Sequence, residues 1–485
     1  MLIRQTLAYL PAQLLGPLAQ FAAAIALTHV LGAADYGLTM LVFASQELVF
    51  LLCLSWWTIY MMRYAGAHRD AAAQARFRMT EAGVLLATGG LQILATLLVV
   101  LATEPGVSPL FHLGAVLFTL TRSLVNLLSE RARKAEAIGA YSALQIVAPL
   151  GGLALSLPAL VLVGPHPEWV LILFALTQGA VAALTARRLG LALRPAGIDR
   201  AVLAAALRFG LPVVVASSFG WIAANGIRFV VEAAEGPVAL GLLSVGWGLA
   251  TRLAAVAAMV VTAAAYPLAV RAMEAGDIAG AKRQLSDNSL LLFILIAPAT
   301  LGVIAINEPL VRLLIAAEYH AATIMILPWA LVGAAIRNVR MHGWDQLYLL
   351  MEAPRPMLAL EMIEAALTMV AAVLGVLLGG LAGAVIGTTL AAAIIALGDA
   401  VYLTRCYGFA IPLGRCARVL LAAAAMAGAL ALLPRFGLPV APRWDSVIAA
   451  ILLGMLAYAP VLAALFPRET RDLVRAFRAR QRGDA

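Results

Sequence analysis

The sequence predicts an all-α polytopic membrane protein with about fourteen transmembrane helices. Of its 485 residues, 63% are hydrophobic and only 12% are charged, a balance that would not keep a soluble protein of this length in solution. Apolar runs of about 20 residues recur along the chain, and each is long enough to cross a hydrocarbon core of roughly 30 Å. The alternating ten-residue segments of a membrane β-barrel do not occur, so we expect helices.

The apolar runs define the predicted spans and their orientation. In order, the spans cover residues 5–31, 38–62, 80–102, 110–128, 143–163, 169–186, 209–231, 240–266, 289–306, 322–349, 357–378, 381–403, 419–433 and 446–465. An even number of spans places both termini on one side of the membrane. The Lys and Arg residues assigned to that side, Arg122 among them, number 27, against four on the other side. By the positive-inside rule, we expect both termini in the cytoplasm.

The opening of the chain is repeated near its middle. Pro11 lies early in an apolar helix, and Gly37 opens the helix that follows; Pro212 and Gly241 occur in the same order with a similar spacing. Internal repeats are typical of transporters. We therefore expect two pseudo-symmetric six-helix lobes at 1–200 and 201–404, two extra helices within 405–467, and a basic cytoplasmic tail at 468–485.

Short motifs in a fixed order carry a family resemblance. They occur at residues 31–37 and 62–64, at 209–212, 228–229 and 241–244, and at 308–314. Together they resemble the bacterial polysaccharide and O-antigen-type flippases, the polysaccharide transporter branch of the multidrug/oligosaccharidyl-lipid/polysaccharide exporter (MOP) superfamily. Ile227 stands where many relatives have an aspartate, and relatives often have twelve spans rather than fourteen. These departures leave the cargo open.

The resemblance implies a multi-pass protein of the cell inner membrane. It would move undecaprenyl-pyrophosphate-linked oligosaccharide repeat units to the periplasm by alternating access, for exopolysaccharide or O-antigen assembly. The implied partners are this lipid-linked oligosaccharide, membrane lipids, and a polysaccharide polymerase with its export machinery. A multidrug or cation antiporter of the same superfamily is an alternative. A membrane glycan ligase or polymerase is another, although the short outer loops disfavour an enzyme.

The sequence shows no pattern for a cofactor, a metal or a nucleic acid. The net charge of +9 resides in short loops between spans, as in cytoplasmic loops of membrane proteins. Cys53, Cys406 and Cys416 follow no metal-ligand spacing. No Walker or Rossmann glycine motif occurs. We therefore expect no cofactor, no metal site and no catalytic residue.

Four arginines in or beside apolar runs are the predicted pyrophosphate ligands. A charge at membrane depth costs about 2.5–3.5 kcal/mol, so such residues usually face water or a partner, and a guanidinium binds phosphate bidentately. Arg252, near the middle of span eight, is the strongest candidate. Arg337 and Arg340 share one face of span ten, and Arg228 ends span seven. For Arg340, a salt bridge to Glu364 is the alternative.

Two acidic residues have open interpretations. Glu47 lies in span two without an obvious partner in the sequence. It is either an ion-coupling acid, because burial would favour its protonated form, or a silent water-exposed residue. Asp399 lies near the end of span twelve, and we expect it to reach the interface.

The remaining candidates are aromatic residues, prolines and glycines. Trp221 and Trp247 lie deep enough to contact sugars, whereas Trp56 and Trp57 are expected to be interfacial anchors. Pro11 and Pro212 are either hinges or packing features. The glycines repeat every four residues across spans eleven and twelve, and we expect close packing and a tight turn there, without a ligand role. They are Gly375, Gly379, Gly383 and Gly387.

Overall fold

The computed structural model describes residues 15–16, 18–64, 70–191, 197–472 and 475. All the elements assigned among these residues are helical, and eleven of the helices are long and apolar enough to cross a membrane. The predicted fold class is therefore confirmed. Pro11 and most of the predicted basic tail lie outside the described residues.

The described chain contains the following α-helices, and residues 467–472 after the last of them are also helical. The α-helices are α1 (Leu18–Thr28), α2 (Ala33–Cys53), α3 (Ser55–Tyr64), α4 (Ala71–Thr103), α5 (Pro109–Lys134), α6 (Ile138–Ser142), α7 (Ala148–Leu162), α8 (Pro167–Arg188), α9 (Arg200–Glu274), α10 (Ile278–Ala305), α11 (Asn307–Leu314), α12 (His320–Val339), α13 (Gln346–Leu350), α14 (Pro354–Tyr407), α15 (Leu413–Leu432) and α16 (Trp444–Leu465). Two π-helical segments, Ala143–Val147 and Arg340–Trp344, continue α6 into α7 and α12 toward α13.

Glycines break the two longest helices where the sequence predicts a turn. Gly236 interrupts α9 with φ 79° and ψ −176°. Gly380 interrupts α14 with φ 57° and ψ −146°, next to Gly379. Positive φ is readily adopted by glycine, which has no Cβ. Each break separates two predicted spans, so the eleven long helices represent thirteen segments. With α1 as the end of the first span, they agree with about fourteen transmembrane helices.

By the packing of its residues, the chain divides into two compact units. Unit 1 comprises Met1–Val245 and Glu361–Gly387, and unit 2 comprises Gly246–Leu360 and Thr388–Ala485. The boundaries fall inside α9 and α14, which each contribute to both units. The lobe boundary predicted at residues 200 and 201 stays a prediction.

An aromatic core in unit 1 joins the end of the second predicted span to α9. Trp57 is 0% exposed, Trp56 is 7% exposed, and the Trp57 ring stacks on Phe77 with centroids 5.2 Å apart. A Cβ built at Gly210 would lie 2.4 Å from the Trp56 carbonyl oxygen, so α9 and α3 are in backbone contact there. The expectation that Trp56 and Trp57 are interfacial anchors is therefore wrong, because both rings fill the core.

The repeated glycines of the two sequence copies contact each other in unit 1. A Cβ built at Gly37 would lie 2.1 Å from the Pro237 carbonyl oxygen and 2.9 Å from the Gly241 nitrogen. A Cβ built at Gly241 would lie 1.9 Å from the Ala33 carbonyl oxygen. The contact is reciprocal, and a side chain on either glycine would push the helices apart. We call this contact the glycine crossing.

The glycine repeat in α14 packs the two halves of that helix together within unit 1. A Cβ built at Gly375 would lie 2.2 Å from the Gly383 carbonyl oxygen, and one at Gly387 would lie 2.4 Å from the Ala371 carbonyl oxygen. Small residues at this spacing allow such close helix packing. The predicted packing role is confirmed for Gly375, Gly383 and Gly387, and the predicted tight turn lies at Gly379 and Gly380.

The last two long helices pack on α10 in unit 2. Val419 and Ala423 of α15 are fully buried in a cluster with α10 residues, and the Tyr458 hydroxyl of α16 donates to the Ile294 carbonyl oxygen at 2.9 Å. Their other faces carry exposed apolar side chains, among them Met455 (61%) and Leu456 (69%). Apolar exposure of this extent suits contact with lipid.

Candidate functional site

Arg252 is half-buried on α9 in unit 2, and it forms no hydrogen bond or ion pair with any residue that the structure describes. Gly246, Ala258 and Val261 mark the side of α9 that packs on α10 and α12. At about 100° per residue, Arg252 lies on roughly the opposite side of the helix. Its side chain extends back over Gly248, where a Cβ would lie 3.1 Å from its Nη1. Arg252 is therefore a cation turned away from the core of its own unit.

Arg337 belongs to the same unit but points elsewhere. The second half of α9 runs parallel to α12: Gly246 contacts Ile326, and sixteen residues later in each helix Thr262 Oγ1 lies 3.2 Å from His342 Nδ1. Arg337 Nε lies 3.3 Å from the sulfur of Met341, toward the C-terminal end of α12. Arg252 extends toward the N-terminal end of its helix. The structure thus does not bring the two guanidinium groups to one anion.

Arg340 is buried in an ion pair that the sequence did not predict. It is 1% exposed, and its Nε lies 3.4 Å from Asp345 Oδ2, with the Asp345 side chain 8% exposed. The pair spans the π-helical segment after α12. The salt bridge to Glu364, which the sequence suggested as an alternative, stays a prediction, since Glu364 belongs to unit 1. Asp345 has one signal in the sequence: it is an acid within span ten, five residues after Arg340.

A second buried polar contact lies in the same unit. The Tyr348 hydroxyl donates to Asp399 Oδ1 at 2.6 Å, and the two residues are 2% and 3% exposed. The expectation that Asp399 reaches the interface is therefore wrong. Its carboxylate is held inside the unit because a buried acceptor needs a donor, and Tyr348 supplies one.

Arg228 and Trp221 lie in unit 1, on the first half of α9. Arg228 Nη1 donates to Asn225 Oδ1 at 2.9 Å. Trp221 packs against Phe229 with ring centroids 5.8 Å apart, and its buried Nε1 has no hydrogen-bond partner among the described residues. A buried indole N–H usually finds an acceptor, and the Trp221 N–H is an exception among the described residues. Trp247 is half-buried in unit 2. The sugar-contact roles of both tryptophans stay predictions.

Glu47 has a charged neighbour in unit 1, although the sequence suggested none. Arg122 of α5 lies near enough to the exposed Glu47 for an electrostatic interaction, without an ion pair between them. Beside them, Gln46 Nε2 donates to Ser123 Oγ at 3.4 Å. Counting Arg122 with the loop residues was wrong, because it lies inside α5. The sequence contained a signal for this proximity: two polar dipeptides, at residues 46–47 and 122–123, lie within largely apolar spans.

Pro212 is exposed within α9, and the backbone is helical on both sides of it. The break of α9 lies at Gly236 instead. The hinge role of Pro212 stays a prediction, as does that of Pro11, which lies outside the described residues.

An apolar groove of about 510 Å³ lies in unit 2 between α10, α12, the second half of α14, and α15. Its walls include Phe293, Ile296, Ile336, Trp344, Leu397 and Leu413. No charged residue lines it. Leu397 is 69% exposed and Leu413 is 71% exposed, so the groove is open along its α14 and α15 side. Such a groove can hold a hydrocarbon chain but offers nothing to a charged headgroup.

Comparison with known proteins places the fold. No protein-family profile matches this sequence, and no curated protein matches it. Among solved structures, the lipid II flippase MurJ in its inward closed conformation is similar, with a TM-score of 0.69 at 12% identity over 97% of this chain and 100% of that chain. At this identity the likeness shows the fold alone.

Two further solved structures share the fold. An inward-facing multidrug resistance MATE family transporter of the MOP superfamily has a TM-score of 0.61 at 17% identity, over 80% of this chain and 95% of that chain. A MATE transporter of Vibrio cholerae has a TM-score of 0.54 at 15% identity, over 83% and 95%. The chain thus has the fold of these multi-pass membrane transporters and flippases.

Proposed function

We propose that this chain is an inner-membrane flippase that moves an oligosaccharide linked to undecaprenyl pyrophosphate from the cytoplasmic to the periplasmic face. The observation that carries the proposal is the open apolar groove beside α15. A cargo with a long hydrocarbon tail requires such a surface, whereas a water-soluble cargo does not. The likeness in fold to a lipid II flippase along the whole chain supports the same class of cargo.

The groove suits the lipid tail of this cargo. Its volume of about 510 Å³ falls within the range of ligand pockets, roughly 300–1,000 Å³. Its open side is lined by Leu397, Leu413 and Leu420, which are at least 48% exposed. A lipid tail in the groove would contact apolar side chains on one side and bilayer lipid on the other.

The pyrophosphate requires a cation, and Arg252 is the residue that we assign to it. Arg252 has no partner within the described residues and faces away from the packed side of α9. We assign Arg340 to the fold instead, because breaking its buried pair with Asp345 would leave an uncompensated charge. Arg337 and Arg228 remain secondary candidates, with Trp221 and Trp247 as sugar contacts.

The remaining assignments concern topology, coupling and partners. The excess of basic residues on one side supports cytoplasmic termini. Glu47 is the proposed coupling acid, with Arg122 as its charged neighbour in unit 1. The polysaccharide polymerase and export machinery would receive the cargo at the periplasmic face.

A multidrug or cation antiporter is the second candidate, because the fold is also that of MATE transporters. The unpaired Arg252 favours an anionic cargo over a cationic one. The two functions predict different phenotypes. Loss of a flippase leaves a complete lipid-linked repeat unit on the cytoplasmic face, whereas loss of an antiporter raises drug sensitivity with the glycan intact.

Deletion of the gene, followed by analysis of lipid-linked glycans on each membrane face, tests the proposal. We expect a complete repeat unit to accumulate on the cytoplasmic face. Unpolymerised units in the periplasm would contradict a flippase and favour a polymerase. Complementation with Arg252→Ala should fail while protein levels stay normal, and Arg252→Lys should restore part of the export.

The groove is tested with a matched pair of variants on α14. Ala396 lines the groove, whereas two residues later a Cβ built at Gly398 would meet no atom within 4 Å. Ala396→Trp should therefore reduce export strongly, and Gly398→Trp should not. Equal export by both variants at equal protein levels would remove the groove from the proposal.

A further inference from the structure

A second cavity, of about 600 Å³, lies in unit 1 where the C-terminal end of α4 meets the break in α9. Its lining includes Glu104, Glu232, Ala233 and Gly236. In contrast to the apolar groove, the lining is acidic, and it contains no Lys, Arg or His. By the predicted topology, this cavity lies at the outer side of the membrane.

Glu232 is the unusual residue of this cavity. It is only 8% exposed, and it forms no hydrogen bond or ion pair with any described residue. Its electrostatic neighbour is the half-buried Glu104, a like charge. Two carboxylates that share a cavity repel each other unless a proton or a cation lies between them. Glu232 is therefore a buried acceptor directed into a cavity without a donor from the chain.

Neutral oxygen atoms complete the lining. Pro237 has no N–H, so the carbonyl oxygen of Ala233, four residues earlier, lacks its helical donor. The Thr103 hydroxyl donates to the Val99 carbonyl oxygen at 3.0 Å, which leaves its lone pairs free to accept or coordinate. Oxygen ligands of this kind are preferred by hard cations such as Ca²⁺.

We infer that this cavity binds a hard cation, Na⁺ or Ca²⁺, between Glu104 and Glu232, with the Ala233 carbonyl oxygen as a further ligand. No group of three or more His, Cys, Asp or Glu suited to a metal occurs among the described residues. The cation would thus be exchangeable rather than a permanent part of the fold.

The cavity lies beside the glycine crossing, so a bound cation would affect that contact. Gly236 lines the cavity, and the next residue, Pro237, packs on Gly37 in the glycine crossing. Glu104 belongs to the first sequence repeat and Glu232 to the second. A bound cation would therefore hold the two repeats together beside the glycine crossing. The site does not depend on the proposed cargo.

The test uses the purified full-length chain in lipid nanodiscs. Thermal unfolding is measured in NaCl, CaCl₂, KCl and N-methyl-D-glucamine chloride at equal ionic strength, and binding of ²²Na⁺ and ⁴⁵Ca²⁺ is measured directly. We expect saturable binding and stabilisation by one of the two proposed cations. Selective stabilisation by NaCl identifies a sodium site, and stabilisation by CaCl₂ over a KCl background identifies a calcium site.

The matched variants are Glu104→Gln, Glu232→Gln and, as the control, Glu235→Gln. Glu235 is exposed on the same turn of α9 but does not line the cavity. Because each carboxylate is a ligand, we expect binding to weaken at least about tenfold in the first two variants only. Unchanged binding in them, or no saturable binding to the native chain, would overturn the inference. If acid stabilises the chain and no metal ion does, Glu104 and Glu232 share a proton instead. That result would also overturn the inference.

Discussion

The glycine crossing in unit 1 provides a prediction whose size follows from the structure. In Gly241→Ala, the new methyl group would lie 1.9 Å from the Ala33 carbonyl oxygen, whereas ordinary contact begins near 3.4 Å. The two helices would have to separate by about 1.5 Å at this point. Overpacking of a tight contact costs about 1–3 kcal/mol. This corresponds to roughly a 5- to 150-fold shift toward a state in which the crossing is open.

Labelling of a buried thiol measures this shift. The three native cysteines are replaced by alanine, and Ala33, which is 2% exposed, is replaced by cysteine as the reporter. A membrane-impermeant maleimide should react with this thiol roughly 5- to 150-fold faster in the Gly241→Ala background. Gly89→Ala is the control, because a Cβ there would meet no atom within 4 Å. Equal labelling rates in the two backgrounds would refute the reasoning.

Two further predictions concern buried polar groups in unit 2, with an exposed ion pair as the control, and each is measured as a free energy of unfolding in detergent. Arg340→Ala should cost about 3–5 kcal/mol because it strands Asp345. Arg312→Ala, in an exposed pair with Glu308, should cost at most about 1 kcal/mol. Equal losses of stability in Arg340→Ala and Arg312→Ala would contradict the burial of the Arg340–Asp345 pair. Tyr348→Phe should cost about 1–3 kcal/mol by leaving a buried carboxylate without its donor, and an unchanged stability would remove that hydrogen bond from the description.

Much of the fold could be predicted because membrane spans have a fixed minimum length. The predicted break between spans eleven and twelve coincides with Gly379 and Gly380, where glycine permits the turn. Two helices begin well before the predicted spans that they contain: α4 begins at Ala71 and its span near residue 80, and α10 begins at Ile278 and its span near residue 289.

Both early helix starts have the same physical cause. Asp70 accepts a hydrogen bond from the Ala73 nitrogen, and Asp277 accepts one from the Gly280 nitrogen. These N-caps begin helices in polar sequence, before the apolar run. Hydropathy detects the part of a helix that can lie in lipid, and it does not detect the polar first turns.

The candidate site was less predictable, because the partner of a charge depends on helix rotation and depth. The sequence singled out Arg340 and Glu47 as charges inside apolar runs. It did not identify the ion-pair partner Asp345 or the charged neighbour Arg122, although both were visible as polar residues inside spans. Hydropathy does not give the rotation of a helix about its axis, and a span boundary that is uncertain by a few residues shifts the depth of a charge by about 1.5 Å per residue. Pairing could therefore be established only with the packed helices.

The glycine crossing shows the same limit. The sequence showed that Gly37 and Gly241 are equivalent positions of a repeat, each opening a helix. It could not show that these positions contact each other. A sequence repeat predicts that its copies have similar local structure, but it does not predict that they lie next to each other.

Reconstitution tests the central claim most directly. The purified chain is incorporated into liposomes that contain a fluorescent oligosaccharide linked to undecaprenyl pyrophosphate, and movement of the glycan between leaflets is followed by a quencher added outside. We predict movement that is lost in Arg252→Ala and in Ala396→Trp and is retained in Gly398→Trp. Liposomes that export a cationic dye but leave the lipid-linked glycan on its original leaflet would contradict the proposed function.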